Sequence, residues 1–157
     1  MGHDRTEEHR NRDSMKIIST EMLDILDDVD TLLGTQTYFL VEKWISDARS
    51  WGASPAEQDY FESNARNILT TWSDKDQLLN YYACRTWNGL VKTFYKMRWQ
   101  KFFDAEWDDA HYKAYSDDVT TFEKDWWEKR IGHFTAVPVG DSRTLAKKIY
   151  EKYKDRI

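Results

Sequence analysis

Chemistry in this chain would have to come from its carboxylates, its histidines, its one cysteine, or an arginine set among aromatic rings. Two carboxylates can divide acid and base roles when burial or a neighbour drives their pKa values apart. The sequence offers Glu106 with Asp108 and Asp109, and Asp117 with Asp118. All five stand in the most polar stretch, where solvation keeps carboxylates ordinary, so no catalytic residue is assigned among them. His3, His9, His111 and His133 lack the spacing of a metal-binding set, and no glycine-rich phosphate loop, zinc motif or nucleotide motif accompanies them. Neither a metal nor a cofactor is expected. Cys84 has no sequence-local partner to activate it and falls within the long helix expected from Leu79 to Phe103, which predicts a buried, inert thiol. Arg98 is different, because it projects between Phe94 and Phe102 on an apolar flank. A guanidinium there must be paired, since burying it alone is too costly. It either faces a ligand or partner domain, or bridges a carboxylate within its own fold; the internal bridge is the stronger reading.

The element that positions Arg98 runs from Leu79 to Phe103, with no proline and a single glycine. At helical spacing Leu79, Ala83, Trp87, Leu90, Phe94 and Met97 share one side, while Arg85, Lys92 and Lys96 fall opposite. Tyr95, Trp99 and Phe102 form a second group beside the main stripe, so this helix should touch more than one neighbour.

The same periodicity organises the rest. Met15, Ile18, Met22, Ile25, Val29 and Leu32, widened by Leu26 and Leu33, predict a long helix ending at Gly34. A second helix, from about Gln36 to Trp51, carries Phe39, Leu40, Trp44, Ile45 and Ala48 before Gly52-Ala53 breaks it. Ser54-Pro55-Ala56-Glu57 has the N-cap serine, first-turn proline and third-position glutamate of a helix start. That helix sets Phe61, Ala65, Ile68 and Trp72 on one side, with Asn64 and Arg66 flanking. From Asp104 to Asp118 periodicity is poor and a loop or short helix is expected. Asp117 or Asp118 then caps a helix through Val119, Phe122 and Trp126 to Arg130. Gly132 to Gly140, with Pro138, reads as a linker, and Asp141-Ser142 opens a last helix that turns Leu145, Ala146, Ile149, Tyr150 and Tyr153 inward.

Composition agrees with an all-α antiparallel bundle of about six helices. The chain has 157 residues, enough for one domain with a sizeable core. Only 6 glycines and 2 prolines disfavour a turn-rich all-β fold. Residues 15–157 read as a single domain, and 1–14 as a cloning-derived start or flexible polar tail. A net charge of −5 without a clustered Lys/Arg stripe argues against a nucleic-acid partner, and no apolar run reaches membrane-spanning length. Aromatic residues make up 15% of the chain, more ring surface than a minimal core requires. That surplus suits domain interfaces or sugar-stacking surfaces.

Several spaced motifs go further. An acidic helix reaches Asn64, Arg66 and Trp72; then come Tyr82, Ala83, Arg85, Trp87, Gly89 and Leu90; then Tyr95, Arg98 and Trp99; and finally Leu145 to Ile149, Leu-Ala-Lys-Lys-Ile. In this order, from about Met22 to Tyr153, the chain resembles the C-terminal helical domain of glycoside hydrolase family 89, the α-N-acetylglucosaminidases. It departs at Tyr81 and Cys84, where the family often has an acid and an asparagine, so no polar role carries over to those two.

The resemblance implies a retaining glycosidase as parent, acting on terminal non-reducing α-linked N-acetylglucosamine. Such enzymes need two carboxylates about 5 Å apart. In the family these lie on a preceding (β/α)8 barrel, which this chain is too short to contain. It implies a non-catalytic domain that packs on that barrel and helps wall the substrate pocket. Asn64, Arg66, Trp72, Tyr82, Tyr95, Arg98 and Trp99 are the candidate pocket or barrel-interface residues. The implied partners are the barrel and, through the parent, an N-acetylglucosamine-containing glycan, in a secreted, periplasmic or lysosomal setting. The competing reading is a stand-alone aromatic-rich helical module that binds carbohydrate or a protein.

Overall fold

A computed structural model describes residues 3–72, 84–105 and 109–156, with the side chains of 13–72, 84–105 and 114–156. The fold is all-α, with six α-helices and no sheet among the described residues. They are α1 (His3–Leu33), α2 (Val41–Arg49), α3 (Pro55–Leu69), α4 (Lys96–Asp104), α5 (Asp109–Glu128) and α6 (Ser142–Tyr153). A π-helical turn, Val91–Tyr95, runs directly into α4. α2 packs on α3, α3 on α5, α5 on α4, and α1 lies against both α4 and α6.

The core sits where α2, α3, α5 and the Val91–Tyr95 π turn meet. Val41, Ile45, Leu69, Leu90, Val91, Phe94 and Trp126 are buried there, with Trp87, Phe122, Trp127 and Phe134 packed around them. Phe94 lies edge-on to Trp126 at 5.3 Å and stacks on Phe122 at 5.9 Å, arrangements that aromatic quadrupoles favour. Trp126 is fully enclosed, and its Nε1 donates to Thr93 Oγ1 at 3.0 Å, so its one polar atom is satisfied.

The long helix expected over 79–103 is shorter. Cys84 to Trp87 are not helical, Asn88 forms a single bridge with Leu40, and helical geometry begins at Leu90. Gly89 is the reason. Its φ is +86°, and a Cβ there would lie 2.5 Å from Phe134 Cδ1 and 2.9 Å from Val41 Cγ1. Only glycine turns the chain at this place without strain or collision. Leu79 and Ala83 lie outside the described residues. Cys84 is exposed rather than buried, because it precedes the helix, and Met97 is exposed as well.

Other expectations shift by a turn. α2 begins at Val41, after a 3-10 turn over Thr37–Phe39, so Phe39 and Trp44 are exposed while Leu40 and Ile45 are buried. α5 begins at Asp109, which places Asp117 and Asp118 inside the helix and not at its cap; Asp118 instead pairs with Lys101 at 2.7 Å. On α1, Met15, Ile18 and Ile25 are exposed, and it is Leu23 and Asp30 that are buried. Residues 131–141 form the expected irregular connection, and Asp141 caps α6 by accepting from Thr144 N at 2.8 Å. α6 has no buried residue, and its Ala146 and Tyr150 are exposed. It is held to α1 at Asp28, whose Oδ2 accepts from Lys152 Nζ and Tyr153 Oη, each at 2.7 Å. Val139 N also donates to Gly34 O at 2.9 Å.

Candidate functional site

The start of α3 fixes what each of its faces can do. Ser54 Oγ accepts from Glu57 N at 3.3 Å, and Glu57 Oε2 accepts from Ser54 N at 3.1 Å, the two halves of a capping box. With the register so set, the inward face carries Glu62, Ala65, Arg66 and Leu69. Arg66 is only 2% exposed. Its Nε donates to Glu62 Oε1 at 2.8 Å, and its Nη1 donates to Ile131 O at 2.8 Å. The guanidinium lies over the rings of Trp126 (4.8 Å) and Phe134 (5.2 Å). Arg49 Nη1 donates to both Glu62 Oε2 (2.6 Å) and Asp59 Oδ1 (2.8 Å), and Arg130 reaches Asp59 at 3.1 Å. Burial pulls the Arg66 pKa below its ordinary value, and the Glu62 carboxylate opposes that pull. The pattern-based reading missed this network, although Glu62 and Arg66 stand four apart, the spacing of a helical ion pair.

The outward face of α3 is the apolar one. Phe61 is half-buried, and Asn64, Ile68 and Trp72 are exposed. With Trp44, Asp47, Ala48 and Trp51 of the α2 side, the first three line a cleft of about 360 Å3. Trp44 is fixed by its Nε1 donating to Ala65 O at 3.0 Å. Trp51, 78% exposed, meets Phe61 edge-on at 6.1 Å. Such a lining can hold apolar groups; it has no arrangement for acid–base work. Trp72 follows α3 with φ +61°, a left-handed conformation that a bulky side chain adopts only when its surroundings impose it. Trp72 N donates to Asn67 O at 2.8 Å.

The α4 candidates lie elsewhere. Arg98 Nε is 2.6 Å from Glu123 Oε1, an ion pair across α4 and α5 in which Arg98 is 28% exposed and Glu123 7%. Its guanidinium also lies 5.8 Å from the Phe94 ring. Trp99 is exposed and stacks on Phe103 at 5.8 Å. Tyr95 is half-buried, with its Oη 2.8 Å from Cys84 Sγ; burial first, and then the Cys84 contact, push its pKa up. Tyr82 lies outside the described residues. The fold therefore divides the described candidates. Asn64 belongs to the α2–α3 cleft, Trp72 stands at the end of the same helix, Arg66 is interior, and Tyr95, Arg98 and Trp99 lie along the π turn and α4.

One buried carboxylate had no signal in the sequence. Asp30 Oδ1 accepts from Gly89 N (2.7 Å) and Lys92 N (3.0 Å), and its Oδ2 accepts from Asn88 Nδ2 (2.9 Å). It thereby caps the helix that begins at Leu90, from 59 residues away in the chain. Burial pushes its pKa up, and the Gly89 and Lys92 amides pull it back.

Comparison with known proteins joins these features to a lineage. Residues 4–152 match the family described as Alpha-N-acetylglucosaminidase (NAGLU) C-terminal domain. The human α-N-acetylglucosaminidase is 32% identical over 145 residues, which cover 89% of this chain and 19% of that enzyme. A family 89 glycoside hydrolase from Clostridium perfringens, solved with 2-acetamido-1,2-dideoxynojirmycin, superposes with a TM-score of 0.72 at 26% identity, covering 88% of this chain and 17% of that one. The enzyme from the same organism solved with GlcNAc-alpha-1,4-galactose gives a TM-score of 0.76 at 24% identity, covering 96% and 19%, and so speaks for the fold. The chain spans about a fifth of the length of these relatives.

Proposed function

Because this chain belongs to the family of α-N-acetylglucosaminidase C-terminal domains, we propose that it is the non-catalytic helical domain of a larger glycosidase. Its parent hydrolyses terminal non-reducing α-linked N-acetylglucosamine from a glycan. The domain packs on the parent's (β/α)8 barrel and helps wall the substrate pocket. The observation that carries the non-catalytic reading is the state of the interior carboxylates. Glu62 is committed to Arg49 and Arg66, Glu123 to Arg98, and Asp30 to the amides that begin the next helix. Retaining hydrolysis needs one carboxylate free to attack and another free to carry a proton. Carboxylates locked against guanidinium groups in a core serve neither role. Trp72, held in a left-handed backbone conformation and partly exposed, is the best-supported pocket-wall residue in this chain.

The test is hydrolysis of an aryl α-N-acetylglucosaminide by the purified chain, in a preparation free of host glycosidases. No turnover above the blank is expected. Turnover abolished by substituting a carboxylate of this chain would refute the non-catalytic reading. In the full-length parent, Trp72→Ala should raise KM or lower kcat at least tenfold while the isolated chain keeps its stability. Unchanged kinetics would remove Trp72 from the pocket wall.

A further inference from the structure

We infer that the outer face shared by α2 and α3 is the surface that docks on the catalytic barrel, with an apolar side chain of the barrel portion seated in the cleft among Trp44, Trp51 and Ile68. This rests on the reading that the parent carries such a barrel.

The argument begins with α3 itself. A helix on the surface of a domain has one apolar face and one polar face. α3 is closed on both sides. Its inward face buries Ala65 and Leu69 with the Glu62–Arg66 pair, yet the half-buried Phe61 and the exposed Ile68, two turns apart, present apolar surface on the outside. A stripe of that kind, joined to Trp44 and to Trp51 at 78% exposure, is contiguous apolar surface that a finished assembly covers.

The cleft also says what kind of group it receives. Trp44 Nε1 is already occupied by Ala65 O, and Asp47 is paired with Lys43 at 3.2 Å. Asn64 and the Trp51 indole N–H are the remaining polar groups of the lining, so a saccharide would leave most of its hydroxyls unmatched there. An apolar protein side chain carries no such cost. Large ring anchors around a small cleft, ringed by less buried contacts, are the usual construction of an interface centre. The relatives extend well beyond the part this chain matches, 81% of the human enzyme lying outside it, so covalently linked polypeptide is the occupant at hand.

The experiment compares the full-length protein encoded by the reading frame containing this chain with the chain alone, by hydroxyl-radical footprinting read by mass spectrometry. Oxidation of Trp51, Trp44 and Ile68 should fall at least tenfold in the full-length protein. Trp51→Glu combined with Ile68→Glu should leave the urea midpoint of the isolated chain unchanged and split the thermal unfolding of the full-length protein into two transitions. Protection confined to another face, such as Met15 and Ile18 of α1, would overturn this docking surface and leave the domain reading standing. A reading frame without a barrel, or equal labelling at every position, would overturn both. Protection that rises with concentration in the isolated chain would assign the face to a second copy and overturn the inference.

Discussion

Arg66→Met tests whether the inner face of α3 is a structural element or part of a site awaiting a ligand. The substitution keeps most of the stem that lies over Trp126 and Phe134 and removes the guanidinium. Glu62, itself only 7% exposed, then loses one of its two cationic partners, and Ile131 O loses its donor. Breaking a buried ion pair by removing one partner costs about 3–5 kcal/mol. Arg49, a third exposed, can still face Glu62, which places the expected loss near the lower end, about 3 kcal/mol. With a urea m-value of about 2 kcal/mol/M, that is a midpoint shift of roughly 1.5 M, measured by circular dichroism at pH 7. Glu62→Leu in the Arg66→Met background should restore part of the loss, because the orphaned carboxylate goes with it, so the two effects are strongly non-additive. A loss under about 1 kcal/mol for Arg66→Met, or a double variant whose loss is the plain sum of the singles, would refute the reasoning.

Phe94→Ala, at a fully enclosed ring, should cost about 3–5 kcal/mol, whereas Met97→Ala one turn on should cost under about 1 kcal/mol; urea midpoints of comparable size would contradict the helix register. Arg98→Ala strips the buried Glu123 of its cation and should cost about 2–4 kcal/mol in the isolated chain, discounted for the partial exposure of the arginine; equal stability of variant and parent would move Arg98 to a domain interface. Asp30 has a folded-state pKa above its unfolded one, so its contribution is fully present below the unfolded pKa and is lost as pH rises through the folded value. The stability advantage of the native protein over Asp30→Asn should therefore shrink as pH rises from about 3 to 7. An advantage that grows over that range would show that the amide donors outweigh burial. Asp30→Ala, which strands the Gly89 and Lys92 amides, should cost about 2–4 kcal/mol at pH 7, and an unchanged midpoint would deny the cap.

What could be read from the sequence was local. Ser54, Pro55 and Glu57 announce a helix start because all the atoms of a capping box lie within four residues, and the structure contains that box. Asp141 marks the start of α6 for the same reason. The mistakes came where distant contacts decide. Trp87, Leu90 and Phe94 keep one helical spacing whether or not a helix precedes them, and only Phe134 and Val41, crowding Gly89, show why it starts at Leu90. On α3, the spacing groups Phe61, Ala65, Ile68 and Trp72 on one side and leaves Arg66 flanking, but it does not say which side faces the core. The ion pair of Glu62 and Arg66 is buried, its desolvation offset by rings and by Arg49. Among the candidate site residues, Asn64 was legible as a flanking position of α3, whereas the left-handed turn that carries Trp72 off the end of that helix was not. The Arg98–Glu123 partnership likewise depends on α5 lying beside α4, which spacing cannot show.

The attachment of α6 decides the order in which the molecule comes apart. No side chain of that helix is sealed from water, and two of its ties to α1 converge on a single partly exposed carboxylate, Asp28. Contacts of that kind weaken as salt screens them, while the packing around Phe94 and Trp126 does not. The last helix should therefore open as a separate, low-energy unit while the core around Phe94 and Trp126 remains closed. Its amides should exchange with solvent faster than those of the core, a difference that native-state hydrogen exchange reads directly. Stability measured from the buried tryptophan and stability measured from the C-terminal helix are consequently two different quantities in this chain.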